Sequence, residues 1–406
     1  MKKTSILVLI LFIGFIISCD SNDNPQLHEG FIKSEISLQG TQLPFVLELK
    51  GNPVNEINLI NGEESFPIEN FSIDSGILSL PLHIFDSELK AKITENGLKG
   101  SFTKNYIKDY TLPFEGTYAE DGNRVSKTTT STHFDGTYRV NFTEEDGSSY
   151  PAIGIFQTVD GLFKGTFLTE TGDYRYLEGY ANDQQMQLYT FDGNHAFIFD
   201  AERSQDGRLH GSFYSGKSYH ATWDAVPDSE AKLGDANSLT YLKKGYDRIE
   251  FAFPDLNGNT VQLSDSKFQN KVVLLQIFGT WCPNCMDETI FYSDWMSKHQ
   301  GADVEILGLA YEAKDDFDYA VKRVKTMKQR LNVPYDFVIA GTSNKAEAAK
   351  TLPMLNKIIS FPTTIFIDKK GEVRKIHTGF TGPATGIYYE KYVEEFNSFM
   401  NELLNE

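Results

Sequence analysis

The sequence predicts a multidomain protein in which an all-β region, a barrel or a sandwich, precedes an α/β domain. Through residues 31–225, short segments of alternating apolar and polar residues are separated by turn signals. Beyond residue 246, buried apolar strands alternate with segments of helical periodicity. A chain of 406 residues is also too long for one ordinary hydrophobic core, which supports more than one domain.

Composition narrows the classes of function. The chain carries 38 Lys and Arg against 56 Asp and Glu, a formal net charge of -18. This excess of negative charge repels phosphate groups, so we expect no nucleic-acid partner. A hydrophobic fraction of 40% is ample for a folded protein. Three cysteines are too few for a disulfide-stapled scaffold, so each of them needs its own explanation.

The N-terminus resembles the export signal of a bacterial lipoprotein. Two lysines precede a nearly unbroken apolar run over residues 6–17, which is too short to cross a bilayer as a helix. Small and apolar residues stand just before Cys19, as in a lipobox. We therefore predict a signal peptide over 1–19, lipidation of Cys19 and a polar tether over 20–30. The alternative is an ordinary signal peptide with an incidental cysteine.

The all-β region, residues 31–225, contains a weak internal repeat. A glycine followed by a small or β-branched residue and a phenylalanine recurs at unequal intervals, which is typical of similar hairpins and not of a solenoid. Residues 112–114 also repeat the Leu-Pro-Phe of residues 43–45. We therefore predict two related units, 31–112 and 113–225.

No chemistry stands out in the all-β region. Its histidines lack the spacing of metal ligands, so we predict no metal site there. Its aromatic residues are predicted to face a core, although a surface that binds a partner or a glycan remains an alternative. The histidines are His83, His133, His195, His210 and His220.

A polar linker is predicted over residues 226–245, followed by an α/β domain over 246–406. A continuous apolar run over 272–278 is typical of a central buried strand, and apolar residues at helical spacing mark the helices. The predicted elements are strands over 248–256, 272–278 and 305–310, helices over 286–299 and 315–331, a hairpin of strands over 363–367 and 373–376, and a helix over 388–404.

One motif carries chemistry. Cys282 and Cys285 stand three positions apart, between the buried strand and the first helix. The helix N-terminus stabilises a thiolate at Cys282, which we expect to attack a substrate disulfide. Cys285, one turn further and more buried, is expected to resolve the mixed disulfide. The alternative, half of a zinc site, lacks the further ligands that a structural zinc needs, so no metal is predicted.

With these residues in view, the segment 246–404 resembles the thioredoxin superfamily, and more narrowly the exported TlpA/ResA-like thiol-disulfide oxidoreductases. The resemblance rests on the stretch from residue 272 through Trp281-Cys282-Pro283-Asn284-Cys285 and on Phe361-Pro362 before an apolar strand. It implies a cis peptide bond at Pro362 and a Phe361 backbone that pairs with substrate. Trp281, Pro283 and Asn284 are expected to contact substrate, although simple core packing is the alternative for Trp281.

Glu288 lies one helical turn beyond Cys285 on the same face. ResA-like proteins have an acid at the matching position, and a carboxylate there can carry the proton that Cys285 must lose. The alternative is a solvated helix residue. Many thioredoxins bury an aspartate six residues before the first cysteine, but this chain has Gln276 there, which cannot exchange a proton.

The predicted function is that of an exported, lipid-anchored dithiol reductase without a cofactor. The motif carries no cation or histidine between its cysteines, which favours a reductant over an oxidant. We expect substrates among exported proteins with disulfides, an inner-membrane electron donor implied by the resemblance, and a place on the periplasmic side of a bacterial membrane in the cell envelope. The alternatives are an oxidase or isomerase on the same cysteines, or a binding lipoprotein whose β-region is the working part.

Overall fold

The computed structural model describes residues 26–125 and 127–406. The predicted signal peptide over 1–19 and the predicted lipidation site, Cys19, lie outside the described residues, as does most of the predicted tether. Within the described part, the predicted order of an all-β region and an α/β domain is confirmed.

The first β unit is a nine-stranded antiparallel sheet. Its strands alternate buried and exposed side chains, as over Ser87–Thr94, so that one face of the sheet forms a core. The order across the sheet is β4-β3-β2-β1-β9-β8-β7-β6-β5. The strands are β1 (Gly30–Leu38), β2 (Thr41–Lys50), β3 (Glu56–Asn61), β4 (Glu64–Pro67), β5 (Ser72–Asp74), β6 (Ile77–Pro81), β7 (Ser87–Thr94), β8 (Gly97–Lys104) and β9 (Thr111–Ala119).

The second β unit is a closed antiparallel barrel of eight strands. Each of the eight strands pairs with the next one along the chain. The first strand also pairs with the last, which closes the barrel without an open edge. Aromatic side chains fill the interior, where the rings of Phe199 and Phe213 stack 4.2 Å apart. The strands are β10 (Gly136–Glu144), β11 (Ser149–Val159), β12 (Leu162–Thr169), β14 (Leu177–Ala181), β15 (Gln185–Phe191), β16 (Ala196–Arg203), β17 (Leu209–Ser215) and β18 (Tyr219–Pro227), while the short β13 (Gly172–Asp173) extends one end.

The predicted division of the β-region at residue 112 is wrong. It falls inside β9, which pairs with both β1 and β8 and therefore belongs to the first sheet. The two Leu-Pro-Phe segments lie on β2 and β9, the two strands that flank β1, so the repeat reflects one sheet and not two units. The break between the sheets lies between Ala119 and Gly136.

The predicted linker is packed against the α/β domain. Strand β18 runs to Pro227, and the chain beyond it crosses the surface of the last domain without regular structure. Leu242 forms an isolated bridge with Leu355, and the amide of Thr378 donates to the carbonyl of Ala236 at 3.1 Å. The segment is therefore held in place.

The C-terminal domain has a five-stranded mixed sheet in the order β23-β22-β21-β24-β25. Its central strand β21 is buried at every position, as the apolar run predicts, and is parallel to β22 and antiparallel to β24. The strands of this sheet are β21 (Val272–Phe278), β22 (Val304–Glu312), β23 (Asp336–Thr342), β24 (Thr363–Ile367) and β25 (Val373–Thr378). Two short strands before it, β19 (Ala252–Pro254) and β20 (Thr260–Gln262), form a separate antiparallel pair. The helices are α1 (Pro283–Lys298), α2 (Phe317–Arg330), α3 (Lys345–Thr351) and α4 (Ile387–Asn405).

Two sequence expectations for this domain need correction. The strand predicted over 248–256 shrinks to β19, because Ile249 and Phe251 are buried in the core without pairing in the sheet. Strand β23 and helix α3 are not predicted from the sequence, because their segments are short and show no clear hydrophobic periodicity. No helix within the described residues is long and apolar enough to span a membrane.

Candidate active site

The two cysteines lie at the start of α1, directly after the central strand. Cys282 is the N-cap residue and Pro283 occupies the first turn, where its missing N–H costs nothing. The sulfurs are joined in a disulfide, and the amide of Cys285 donates to the sulfur of Cys282 at 3.2 Å. Cys282 is 6% exposed and Cys285 is fully buried, so the first sulfur is the more accessible. The unpaired amides of the helix end favour a thiolate at Cys282 when the pair is reduced.

A proline loop faces the disulfide from the neighbouring strand. The Phe361–Pro362 peptide bond has the cis geometry that the resemblance implies. The carbonyl oxygen of Phe361 lies 3.5 Å from the sulfur of Cys282. Strands β21 and β24 are paired, so the sheet itself fixes the distance between the cysteine motif and this loop.

Trp281 packs into the domain and is also partly exposed beside the disulfide. Its indole Nε1 donates to the carbonyl of Tyr311 at 2.9 Å, and its ring meets that of Phe361 edge-on at 5.4 Å. The side chain is nevertheless half-buried, so part of it stays exposed beside the disulfide. It is a wall of the site as well as a packed residue.

Glu288 is fully buried behind the cysteine pair, which excludes the solvated alternative. Its carboxylate accepts hydrogen bonds from Gln276 at 2.9 Å, from Thr364 at 3.0 Å and from Tyr292 at 3.2 Å. Burial raises the pKa of Glu288 to about 7, although these three hydrogen bonds act to lower it. A carboxyl that titrates near neutral pH can both take up and release a proton there.

Gln276 holds that carboxyl in position. Its amide nitrogen also donates to Thr289 at 3.1 Å, and its amide oxygen accepts from the hydroxyl of Tyr335 at 3.0 Å. Every polar group of the Gln276 side chain is thereby engaged. The residue that replaces the aspartate of other thioredoxins thus acts as a support for Glu288.

The rim of the β-barrel contacts the loops on both sides of the disulfide. The side-chain amide of Asn284, between the cysteines, donates to the carbonyl of Asp173 at 2.9 Å. Asn194 donates to the carbonyl of Trp281 at 2.8 Å, and Ser360 to the carbonyl of Thr171 at 3.0 Å. Asn284, predicted as a substrate contact, is therefore already bound to the barrel.

The sequence gives no sign of Arg175, which is 1% exposed and joins the three parts of the protein. Its guanidinium donates two hydrogen bonds to Asp287 of α1, at 2.8 and 2.9 Å. It also pairs with Asp192 of the barrel at 2.9 Å and with Glu64 of the first sheet. Burial raises the pKa of Glu64 to about 7 against the pull of Arg175, whereas His195 and Arg175 outweigh burial and lower the pKa of Asp192. A lone arginine between strands has no distinguishing pattern, so only the fold reveals this cluster.

The histidines predicted to have no metal-binding role are placed as follows. Among the described residues, no group of three or more His, Cys, Asp or Glu is placed to hold a metal ion. His195 stacks on Phe197 with ring centres 4.4 Å apart, and exposed His210 contacts Asp224.

Cysteine pairs in this setting pass two electrons by thiol–disulfide exchange. The sheet, the helix that carries the pair and the cis-proline loop together place the protein among the thioredoxin-like thiol-disulfide oxidoreductases.

Comparison with known proteins agrees with that class. The model of the AhpC/TSA family matches residues 245–376. The chain is 33% identical over 133 residues to the thiol-disulfide oxidoreductase ResA of Bacillus thuringiensis, an alignment covering 32% of this chain and 68% of the relative. It is 27% identical over 159 residues to the thiol:disulfide interchange protein DsbE of Xylella fastidiosa, covering 39% of this chain and 67% of the relative. The chain belongs, through its C-terminal domain, to the family of thiol-disulfide oxidoreductases that includes ResA.

Similarity to solved structures covers about two fifths of the chain. The solution structure of a putative protein disulfide isomerase from Bacteroides thetaiotaomicron is 22% identical and covers 41% of this chain and 93% of its own, with a TM-score of 0.31. A thiol:disulfide interchange protein of the thioredoxin family from Chlorobium tepidum is 18% identical and covers 40% and 98%, with a TM-score of 0.30.

Replacing Arg175 by Gln should lower the free energy of unfolding by about 3–5 kcal/mol, because three buried or half-buried carboxylates lose their shared cation. Denaturant unfolding of the oxidised protein measures this change. The matched control is Arg208→Gln, since Arg208 is 60% exposed and pairs with the similarly exposed Asp206. Equal, small effects of the two substitutions would show that the cluster does not hold the three parts together.

Proposed function

We propose that the protein is an exported, lipid-anchored dithiol reductase that opens disulfides of exported proteins through the Cys282-Pro283-Asn284-Cys285 pair. The observation that carries the proposal is Cys282, the less buried of the two cysteines, at the helix N-terminus, with the buried Glu288 carboxyl, whose pKa is about 7, one helical turn beyond Cys285. An accessible nucleophile, a buried resolving thiol and a proton acceptor are what the two-step exchange requires.

The reaction begins with both cysteines reduced. The thiolate of Cys282 attacks one sulfur of the substrate disulfide, forming a mixed disulfide and releasing the other substrate sulfur as a thiolate. The thiolate of Cys285 then attacks the sulfur of Cys282, which reforms the internal disulfide and expels the second substrate thiolate. Two electrons pass to the substrate, and its two thiolates take up protons.

Glu288 is proposed to accept the proton that the Cys285 thiol loses before that second attack. The two residues are one helical turn apart on α1, and the carboxyl lies among hydroxyl and amide donors that hold it in place. Because its pKa is raised to about 7, the carboxylate is a strong enough base to take the proton of a thiol near neutral pH.

The charges around the pair support the reducing direction. Asp287 and Glu288 lie two and three residues after Cys285, and the single guanidinium of Arg175 faces three carboxylates. Negative charge near Cys282 disfavours its thiolate, so the dithiol form gains less stability and the pair becomes a better electron donor. Equilibration with glutathione tests whether the pair donates or accepts electrons. A reductase should have a reduction potential of about -270 mV, and an oxidase one of about -120 mV.

We further propose that electrons reach the oxidised pair from an inner-membrane donor, and that the protein works on the periplasmic side of a bacterial membrane. The support lies in the N-terminal sequence, where an apolar run ends at Cys19. Acyl chains on Cys19 would anchor the domains without a spanning helix.

The substitution Cys19→Ser should abolish labelling by radioactive fatty acid and release the protein from the membrane fraction of an expressing bacterium, because the sulfur is the proposed point of attachment. Ser21→Ala, two residues away, should leave labelling intact. A Cys19→Ser protein that still incorporates the fatty acid would contradict the anchor.

The substitution Cys285→Ser should trap substrates on Cys282, because the mixed disulfide then has no resolving thiol. Adducts that disappear on reduction should be visible on non-reducing gels, and mass spectrometry should identify the linked cysteines. The double substitution of Cys282 and Cys285 by Ser is the control and should give none. A clean absence of adducts from cells would overturn the assigned roles.

The substitution Glu288→Gln should slow substrate release by about 100-fold and remove the inflection near pH 7 from the pH–rate profile, because the proton acceptor is lost. Stopped-flow measurement of the resolving step checks both. Glu347→Gln on α3, where the side chain is 58% exposed, is the control. A profile that Glu288→Gln leaves unchanged would return Glu288 to a structural role.

The same variant should change how stability depends on pH. Between the ordinary value of 4.5 and about 7, the unfolded carboxyl has lost its proton while the folded one keeps it. The stability of the oxidised wild type therefore falls as pH rises through this window, by roughly 3 kcal/mol from this group. Glu288→Gln should lack that part of the decline in unfolding experiments.

A further inference from the structure

One end of the barrel opens toward the redox pair across a cavity of about 350 Å³. The barrel contributes residues at the ends of its strands, including Glu144 of β10, Tyr150 of β11 and Tyr219 of β18. The opposite wall contains Asn284, from between the two cysteines, and Phe361, from the cis-proline loop. The cavity thus lies between the β-barrel and the catalytic loops. Barrel mouths and domain boundaries are common places for ligands.

The wall of this cavity is aromatic and acidic. The rings of Tyr174 and Phe197 belong to it, and the hydroxyls of Tyr150 and Tyr174 are 2.8 Å apart. Among the described residues that line it there is no lysine or arginine. Aromatic faces and carboxylates without a cation of their own attract a positively charged group.

Glu144 supplies the accessible carboxylate. It accepts hydrogen bonds from Tyr219 at 2.9 Å and from Ser148 at 3.2 Å, and within the described part of the chain no lysine, arginine or histidine forms an ion pair with it. The carboxylate is held by neutral donors, so its charge remains uncompensated. A cationic donor would form a stronger, charge-assisted hydrogen bond with this carboxylate than the neutral donors do.

The acids behind the wall add less negative charge than their number suggests. Asp173 lines the cavity and Glu64 lies beyond it, but burial raises the pKa of each to about 7, and the positive charge of Arg175 lies among them. His195 also lines the cavity, but its Nδ1 lies 3.1 Å from a carboxylate oxygen of Asp192, which offsets any positive charge on the ring. The negative charge that faces the cavity therefore comes mainly from Glu144, and it favours a cation.

The cavity is close to the reacting sulfur. Phe361 forms part of its wall, and the carbonyl oxygen of the same residue is 3.5 Å from the sulfur of Cys282. An extended peptide advances about 3.3–3.6 Å per residue. A side chain one or two residues from a substrate cysteine can therefore enter the cavity while that cysteine reacts.

We infer that this cavity is the specificity pocket of the redox site and takes the lysine or arginine side chain that lies one or two residues from the reacting cysteine of a peptide disulfide. The inference rests on the proposed reductase function and names the class of substrate for it. The barrel then forms half of the substrate site.

The test uses the reduced wild-type protein and short peptides without tryptophan, each joined through one cysteine to mercaptoethanol. One peptide carries arginine beside the cysteine and its match carries citrulline, which keeps the shape and removes the charge. Single-turnover oxidation of the protein is followed by tryptophan fluorescence. The arginine peptide should react about tenfold faster. Moving the arginine five residues away, which keeps the peptide charge, should remove most of that advantage.

Two variants locate the effect. Glu144→Gln should reduce the arginine-to-citrulline rate ratio about threefold or more, whereas Glu145→Gln should leave the ratio unchanged, since the neighbouring Glu145 is 75% exposed and pairs with His220. Equal rates for arginine and citrulline, or equal effects of the two variants, would overturn the pocket. Faster reaction of a phenylalanine peptide than of the arginine peptide would also overturn it.

A small neutral disulfide, hydroxyethyl disulfide, separates this failure from failure of the proposed function. If the reduced wild type does not react with it or with any peptide, the reductase proposal fails. If it reacts with all of them without preference for the adjacent arginine, only the specificity pocket fails.

Discussion

The guanidinium of Arg175 fixes how the two β units sit on the redox domain. It contacts a carboxylate from the first sheet, one from the barrel and one from the helix that begins at the cysteine pair. A buried cation is stable only while its partners stay in place, so separating any one part leaves uncompensated charge. The barrel rim is thereby held against both loops that flank the disulfide, where Asn284 and Ser360 donate to its carbonyls.

The same cluster shapes the electrostatics of the chemistry. Its carboxylates outnumber its single cation, and Asp287 lies two residues after Cys285. The helix N-terminus favours a thiolate at Cys282, and the proposed reducing direction rests on the opposing effect of negative charge near the pair. Glu288 is buried among neutral donors, and burial raises its pKa although those donors act to lower it.

The β-region covers one side of the thioredoxin-like site, because the barrel rim contacts the loops on both sides of the disulfide. Phenylalanines and other apolar side chains pack the barrel interior, and the cavity beside the cysteine pair lies at the barrel mouth. That mouth faces the cysteine pair. The aromatic residues of the region therefore divide into two groups, a packed core that stabilises the barrel and a rim that lines the cavity.

The sequence by itself determined the class of fold, the position of the redox pair and the elements around it. Continuous apolar runs fix the buried strand β21, helical spacing fixes α1, α2 and α4, and two cysteines three residues apart at a helix start imply exchange chemistry. These features are local in the chain. Only the tertiary structure decided the boundary at Ala119, the depth of Glu288, and the meeting of Arg175 and the barrel mouth with the site. Each of these depends on contacts between residues far apart in the chain, such as Arg175 and Asp287, and no local pattern records them.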